Sequence, residues 1–510
     1  MNREEYRMNR GEVREITILH TNDIHGRSGP FRVIPGSATS QTGDPGQKLH
    51  HFEREGWLGG FPALASAVAR IRAERGPENV LLVDGGDTFS DDLLGNLTEG
   101  EAVIRLMNLL GYQLMALGNH DFDYGFARTR ALQAIAHFPM RAANILLKET
   151  GAPVLGAPTL VLQAAGLRVG FLTLGYPNTG QTGSKKNLEP LEFTDGIAAV
   201  RQYLPGLREQ SDLVVVLSHM GTALDRMLAE QVQEIDLIIG GHSHDAVEDE
   251  QIGRVTIVQA VSDASTLGEA RILWEDGRVR EVESRLHTLW NDTYPPDAEA
   301  ARLLEELRRP HRDTLEEVIA EAAEPIGRNY RSESPFDVLT GEILCQHTSA
   351  QIAFLPGIGY GVTLLPGPIT REALYRLLPH PATVVTLDLT GRQVLEILEQ
   401  SATNQKPDDP QEIVGGLVQT AGLRWTVDFR RLPGQRIRDV YVRDTPLDEA
   451  AVYRAVTNSG MLGGLHRYHS FAEGKNIARR EEKLVEVVEN AMRAMGVVHA
   501  PPAGSIRRLE

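Results

Sequence analysis

The chain has 510 residues, 41% hydrophobic and 24% charged, an ordinary globular balance that excludes a disordered or fibrous protein and predicts two or three domains. Its 69 acidic side chains outnumber 52 basic ones, for a formal net charge of −17, which argues against a nucleic-acid polymer or an anionic membrane as main partner. The single cysteine, Cys345, excludes an intramolecular disulfide and a thiolate metal cluster. The opening residues MNREEYR are mixed in charge, so no signal peptide is visible, and no apolar run approaches the ~20 residues of a membrane span. The expectation is a cytoplasmic protein as written, or a periplasmic or secreted one if the start is misassigned.

Short apolar runs dominate the first half, each followed at once by polar residues. ITILH (16–20) leads into TNDIH, VLLV (80–83) into DGGD, LMAL (114–117) into GNHD, LVVVL (213–217) into Ser218-His219, and LII (237–239) into GGHSH. Such runs, bounded by Gly and Asp, read as buried strands. Apolar residues at three- and four-residue spacing predict helices over 64–75 and 101–110, with a weaker pattern over 195–207. Strand–helix alternation implies an α/β layered domain whose ligands bind beyond the carboxyl ends of the strands. WNDTYPP (290–296) reads as a boundary, followed by a charged helix over 297–323 with a break near Pro310. Mixed α+β character follows from about 326, with strands over 382–389, 423–429, 437–442 and 452–458, and a polar, mobile loop over 401–412.

Five of the 16 histidines (His25, His120, His219, His242, His244) fall in the clusters after the strands, with Asp23, Asp87 and Asn119. These oxygen and imidazole donors suit Mn²⁺, Zn²⁺, Fe or Co²⁺ without choosing among them. Asp23, His25, Asp87, Asn119, His219, His242 and His244 are too many for one tetrahedral zinc and suit two adjacent metals. Two ions ~3.5–4 Å apart can orient a water or hydroxide and stabilise both oxygens of an in-line displacement at phosphorus. Asp84 is assigned to orienting its loop. His20 is assigned to a buried, hydrogen-bonded place in the first strand, and His50 and His51 to solvated positions in the polar insert 27–55.

The ordered motifs ITILHTNDIHG (16–26), DGGD (84–87), GNHD (118–121), LSHMG (217–221) and GGHSH (240–244) resemble the metallophosphoesterase domain of the 5′-nucleotidase family. The second half resembles that family's C-terminal domain. The resemblance implies a four-layer α-β-β-α metallophosphoesterase domain (12–295), a linker helix (296–325) and a smaller α+β substrate-binding domain (326–510). It implies Asp23, His25, Asp87 and His244 on one metal and Asp87, Asn119, His219 and His242 on the other, with Asp87 bridging. It also implies His120 and Asp123 as the catalytic pair. An imidazole beside a carboxylate is held in one tautomer and stabilised when protonated, so it can stabilise charge on phosphoryl oxygens or protonate the leaving group. The implied activity is hydrolysis of small phosphate esters, nucleotides or related organophosphates, through a metal-bound hydroxide. Rotation of the domains during turnover is also implied.

The second half departs from the family. Its phosphate-gripping arginine would fall at Gly359 in FLPGIGYG (354–361), and GGLHRY (463–468) lacks the family's aspartate. Glycine cannot replace a bidentate guanidinium. The substrate-binding candidates are Arg331 as a phosphate contact, and Tyr360, Tyr468 and Phe471 near positions where the family stacks a base. Core packing is the alternative for these three rings. His466 and Arg467 are weighed as replacements for the clamp, with exposed loop residues as the alternative. PGIGYGVTLLPGPIT (356–370), the insert after His25 and WLGGF (57–61) resemble SoxB, a sister branch that hydrolyses a sulfate group from a carrier-bound cysteine persulfide. That thiosulfohydrolase chemistry is the alternative function, while Asn119, His120 and Asp123 keep the phosphoesterase pattern.

Overall fold

The computed structural model describes residues 13–37, 39, 50–329, 332–357 and 363–510. All five apolar runs form strands: Arg14–Thr21, Val80–Asp84, Leu114–Ala116, Leu213–Ser218 and Leu237–Ile239. They divide between two six-stranded sheets. In the first, Val80–Asp84 lies parallel to both Arg14–Thr21 and Leu114–Ala116. In the second, Leu213–Ser218 lies parallel to Leu237–Ile239 and to Leu167–Leu174. Parallel strands covered on both faces need apolar side chains pointing both ways, which is why these runs are continuous rather than alternating.

The two faces of each strand go to different layers. Ile16, Ile18, Leu81, Val83, Leu114 and Ala116 meet Val169, Phe171, Val215, Leu217, Leu237 and Ile239 between the sheets. Leu19, Leu82 and Met115 face outward into a core shared with the helices Phe61–Arg75 and Glu101–Leu110. On the far side, Leu172, Leu174, Val214, Val216 and Ile238 pack under Gly196–Gln210 and Thr222–Gln231. The result is the expected α-β-β-α sandwich. Asp195 starts the third predicted helix by accepting a hydrogen bond from the Ile197 N–H at 2.8 Å.

Beyond the sandwich, the charged helix is shorter than its composition predicts. Ala298–Arg308 is capped by Asp297, a turn at Arg309–His311 contains Pro310, and the helix Arg312–Glu316 ends the run. Val318–Ala322 is a strand, paired antiparallel with Gly367–Thr370; its β-branched Val318-Ile319 favours the sheet. The four strands expected in the α+β part form as Thr383–Thr390, Leu423–Asp428, Ile437–Val442 and Val452–Asn458. The loop expected over 401–412 begins later, because Ser401 to Gln405 complete the buried end of the helix Gly391–Gln405. Their polarity serves internal hydrogen bonds: Ser401 Oγ accepts from Val418 N–H, and Asn404 donates to the His466 carbonyl.

His20 is fully buried as expected, but neither ring nitrogen has a hydrogen-bond partner among the described residues. Its ring lies so close to Gly268 that a Cβ there would come within 2.1 Å of Nε2. Burial pushes this imidazole down to about 3, so it serves as a neutral packing group. His51 is exposed, while His50 is half-buried with its ring edge on Phe52. No helix among the described residues is long and apolar enough to cross a membrane.

Candidate metal centre and catalytic pair

The loops after the five strands converge at one end of the sandwich. Backbone hydrogen bonds tie them together: Asp23 N–H to the Gly86 carbonyl at 2.8 Å, His25 N–H to Asp87 at 2.9 Å and Gly26 N–H to Thr88 at 2.8 Å. Asp84 orients its own loop, accepting from Gly86 N–H and from the Thr88 and Thr21 hydroxyls. Asp121 braces the same loops by accepting from the N–H groups of Asp87, Thr88 and Gly118. Gly118 is required by close approach, since a Cβ there would lie 2.1 Å from Asp87 Oδ1.

Asp23, His25, Asp87, His242 and His244 all adopt the left-handed conformation, with φ between 50° and 74°. Non-glycine residues rarely do so, and such strain concentrates at functional sites. The side chains thus directed inward form two groups. Asp23, His25 and His244 make one, with His25 Nε2 and His244 Nε2 3.0 Å apart and His244 Nε2 3.3 Å from Asp23 Oδ1. Asp87, His219 and His242 make the other, with His219 Nε2 3.0 Å from Asp87 Oδ2.

These donors fit divalent cations. Asn119 Oδ1 and His242 Nδ1 are buried with no hydrogen-bond partner among the described residues, a costly arrangement without a ligand. Burial, reinforced by His219, pushes His242 down to about 3, leaving the neutral ring a metal requires. Against burial, Asp87 and Asp23 push His219 up to about 9; the paired carboxylates thus draw positive charge into the site. His219 Nδ1 lies 2.7 Å from the Gly85 carbonyl. Donation there turns Nε2 toward the carboxylates and sets the ring as an outer partner does for a metal-bound histidine. Tyr176 stacks on His242, with centroids 3.8 Å apart.

His120 and Asp123 stand beside these groups. His120 Nδ1 is 2.8 Å from Asp123 Oδ2, and His120 N–H donates to Asp87 Oδ1 at 2.7 Å. Burial opposes charge on His120, yet Asp91, Asp123 and Asp87 outweigh it and hold the imidazole well above its usual range. All nine metal and catalytic candidates therefore share one site.

The substrate candidates do not all join them. Arg331 and Tyr360, with Gly359, lie outside the described residues. Tyr468 and Phe471 are buried in the core of the second unit, their ring centroids 6.2 Å apart and Phe471 edge-on to Phe354. Core packing accounts for both rings, so base stacking is not assigned to them. His466 is buried rather than an exposed loop residue, and burial pushes it down to about 4. Arg467 lies 3.7 Å from Glu412.

The sequence did not single out Asp91, Tyr176 or His380. Asp91 Oδ2 lies 3.1 Å from His25 Nδ1 and 3.5 Å from His120 Nδ1. Its signal was the acidic pair in Ser90-Asp91-Asp92, which reads equally well as a helix cap. Asp92 is that cap, accepting from Leu94 N–H. Asp91 has φ 78° and belongs to the site. His380 comes from the second half of the chain, with no local motif to mark it.

Residues 16–246 match the calcineurin-like phosphoesterase family and residues 313–473 match the 5′-nucleotidase C-terminal domain. The snake venom 5′-nucleotidase of Gloydius brevicauda is 24% identical, covering 96% of this chain and 88% of its own. Protein UshA of Escherichia coli is 26% identical, over 88% of this chain and 86% of its own. Among solved structures, a 5′-nucleotidase precursor from Thermus thermophilus superposes with a TM-score of 0.86 at 26% identity, covering 97% of this chain and 99% of its own. The sulfate thiohydrolase SoxB of the same organism shares the fold, with a TM-score of 0.87 at 24% identity, covering 97% and 96%. With a phosphoesterase sandwich followed by a 5′-nucleotidase C-terminal domain, the chain belongs to the 5′-nucleotidase family of metal-dependent phosphoester hydrolases.

Proposed function

We propose that the chain hydrolyses phosphate esters of small molecules, nucleotides or related organophosphates, using two divalent metal ions. The observation that carries this reading is the convergence of two carboxylate–imidazole groups beside the His120–Asp123 pair. Asp23, His25, Asp87 and His244 would hold one ion; Asp87, Asn119, His219 and His242 would hold the other, with Asp87 common to both sets. Ions bound there supply Lewis-acid charge that polarises a phosphate ester and makes water nucleophilic near neutral pH; Mn²⁺, Zn²⁺, Fe and Co²⁺ all suit the donors.

The rest is the work of side chains. His120, whose imidazole its carboxylate neighbours hold above its usual range against burial, would present an N–H to phosphoryl oxygens and is placed to release its proton to a leaving alkoxide. Asp123 holds that ring in orientation. Residues 12–295 are taken as the unit that performs the chemistry, 296–325 as the link, and 326–510 as the unit that selects the leaving group.

The test is phosphate release from AMP and nitrophenol release from bis(p-nitrophenyl) phosphate, a generic phosphodiester, by metal-stripped protein reloaded with Mn²⁺. Metal-dependent release from AMP, well above that from the diester, is expected. Absence of release from either substrate by metal-loaded protein would overturn the reading in favour of a sulfur-ester substrate.

A further inference from the structure

We infer that His380, contributed by the second half of the chain, is a positioning residue for the His120–Asp123 pair: its imidazole fixes the Asp123 carboxylate against His120, so that the pair is complete only when the two halves are docked. The inference rests on the function proposed above.

One carboxylate oxygen carries the argument. Asp123 Oδ2 lies 2.8 Å from His120 Nδ1 and 3.3 Å from His380 Nε2, so two imidazoles from opposite halves of the chain share it. The same His380 nitrogen is 3.3 Å from Asp91 Oδ1, while Asp91 Oδ2 is 3.5 Å from His120 Nδ1. The two rings lie 5.6 Å apart. Asp123 is 21% exposed; a carboxylate open to water rotates unless a second donor restrains it, and His380 is placed to be that donor.

The chain around His380 is built to hold it there. Four residues earlier, Arg376 Nε lies 2.7 Å from Asp92 Oδ2, next to Asp91 in sequence. The carbonyl of the preceding Pro379 accepts from Asn96 Nδ2 at 3.1 Å, and Asn96 in turn accepts from the Tyr124 hydroxyl at 2.6 Å. Both anchors belong to the segment that carries Asp91 and the helix Leu93–Thr98. The His380 side chain itself is about a third exposed, so it is not core filling.

The test compares wild type, His380→Ala, His380→Gln and Arg376→Gln for kcat, KM and metal content with AMP. His380→Ala is expected to lower kcat about 10- to 100-fold at nearly unchanged KM, as misplacement of a catalytic group does, with metal content unchanged. His380→Gln, which keeps an N–H donor, recovers most of the loss. In an Asp123→Ala background, His380→Ala costs nothing further, because residues acting as one unit are not additive.

An undiminished loss in that background overturns the proposal; Arg376→Gln, which loosens the docking that brings His380 to Asp123, is expected to lower kcat in the same direction. Release of an additional metal ion by His380→Ala also overturns it, in favour of an ion site among Asp91, His120, Asp123 and His380. A readout without turnover separates this inference from the function it rests on. In ¹⁵N-histidine-labelled protein the His120 ring signals shift on His380→Ala, and unmoved signals overturn the proposal whether or not AMP is hydrolysed.

Discussion

The ring of Tyr176 lies on that of His242, planes 25° apart, while its hydroxyl donates to the Ile413 carbonyl at 2.8 Å. One side chain thus orients a metal-group imidazole with its face and reaches the second half of the chain with its tip. Outer partners of this kind typically change metal affinity by about 10- to 100-fold. Tyr176→Ala is expected to weaken one of the two proposed ions by that factor, measured by metal analysis after dialysis against graded chelator. Tyr176→Phe keeps the ring and should retain both ions. Equal retention in the alanine variant would show that the stacking orients nothing.

Asp87 faces His219 with one oxygen and the His120 backbone with the other. In the proposed site it bridges both ions, so Asp87→Asn should lower the occupancy of both together. Loss of a single ion, found by elemental analysis of the purified variant, would refute the bridging role.

His120 is assigned charge stabilisation and proton transfer but no metal. His120→Ala is therefore expected to reduce turnover by roughly 10²–10⁴, the range for a lost acid–base group, with metal content unchanged. Full turnover with both metals bound would remove His120 from the mechanism.

At the junction of the halves, Arg308 meets Glu372 through both carboxylate oxygens at 2.7 and 3.0 Å, and Arg376 Nη2 lies 3.0 Å from the same group. Burial opposes charge on Glu372, but Arg376 and Arg308 outweigh it and bring its carboxyl down to about 2 from the usual 4.5. A carboxyl depressed on folding stabilises the fold fully above its unfolded value and loses that contribution as pH falls through the folded one. Wild type should exceed Glu372→Gln in unfolding free energy by about 3 kcal/mol at pH 7. That gap should shrink between pH 4.5 and 2, followed by urea unfolding across the range. A gap independent of pH would mean the carboxylate charge contributes nothing.

The metal groups were legible in the sequence because each ligand follows its strand by one to five residues, so local motifs such as GNHD and GGHSH carry it. The sandwich was legible for the same reason, through strands apolar on both faces. What escaped has physical causes. The strand Arg278–Thr288 and the strand Ala246–Ile252 are antiparallel and partly solvated, so mixed polarity hid them. Val318–Ala322 was absorbed into the preceding charged helix. His380 meets Asp91 and Asp123 across more than 250 residues, in a Pro-His-Pro stretch that reads as a turn. The left-handed backbone of Asp23, His25, Asp87, His242 and His244 leaves no trace in residue type, since each of these could equally occupy an ordinary loop.

The most direct measurement of the central claim is a titration of Mn²⁺ into metal-stripped protein, with phosphate release from AMP followed at each addition. No release is expected without metal, and a rise that saturates at two ions per chain, lost on chelation and restored by metal. Release that persists in the stripped protein, or saturates at one ion per chain, would contradict it.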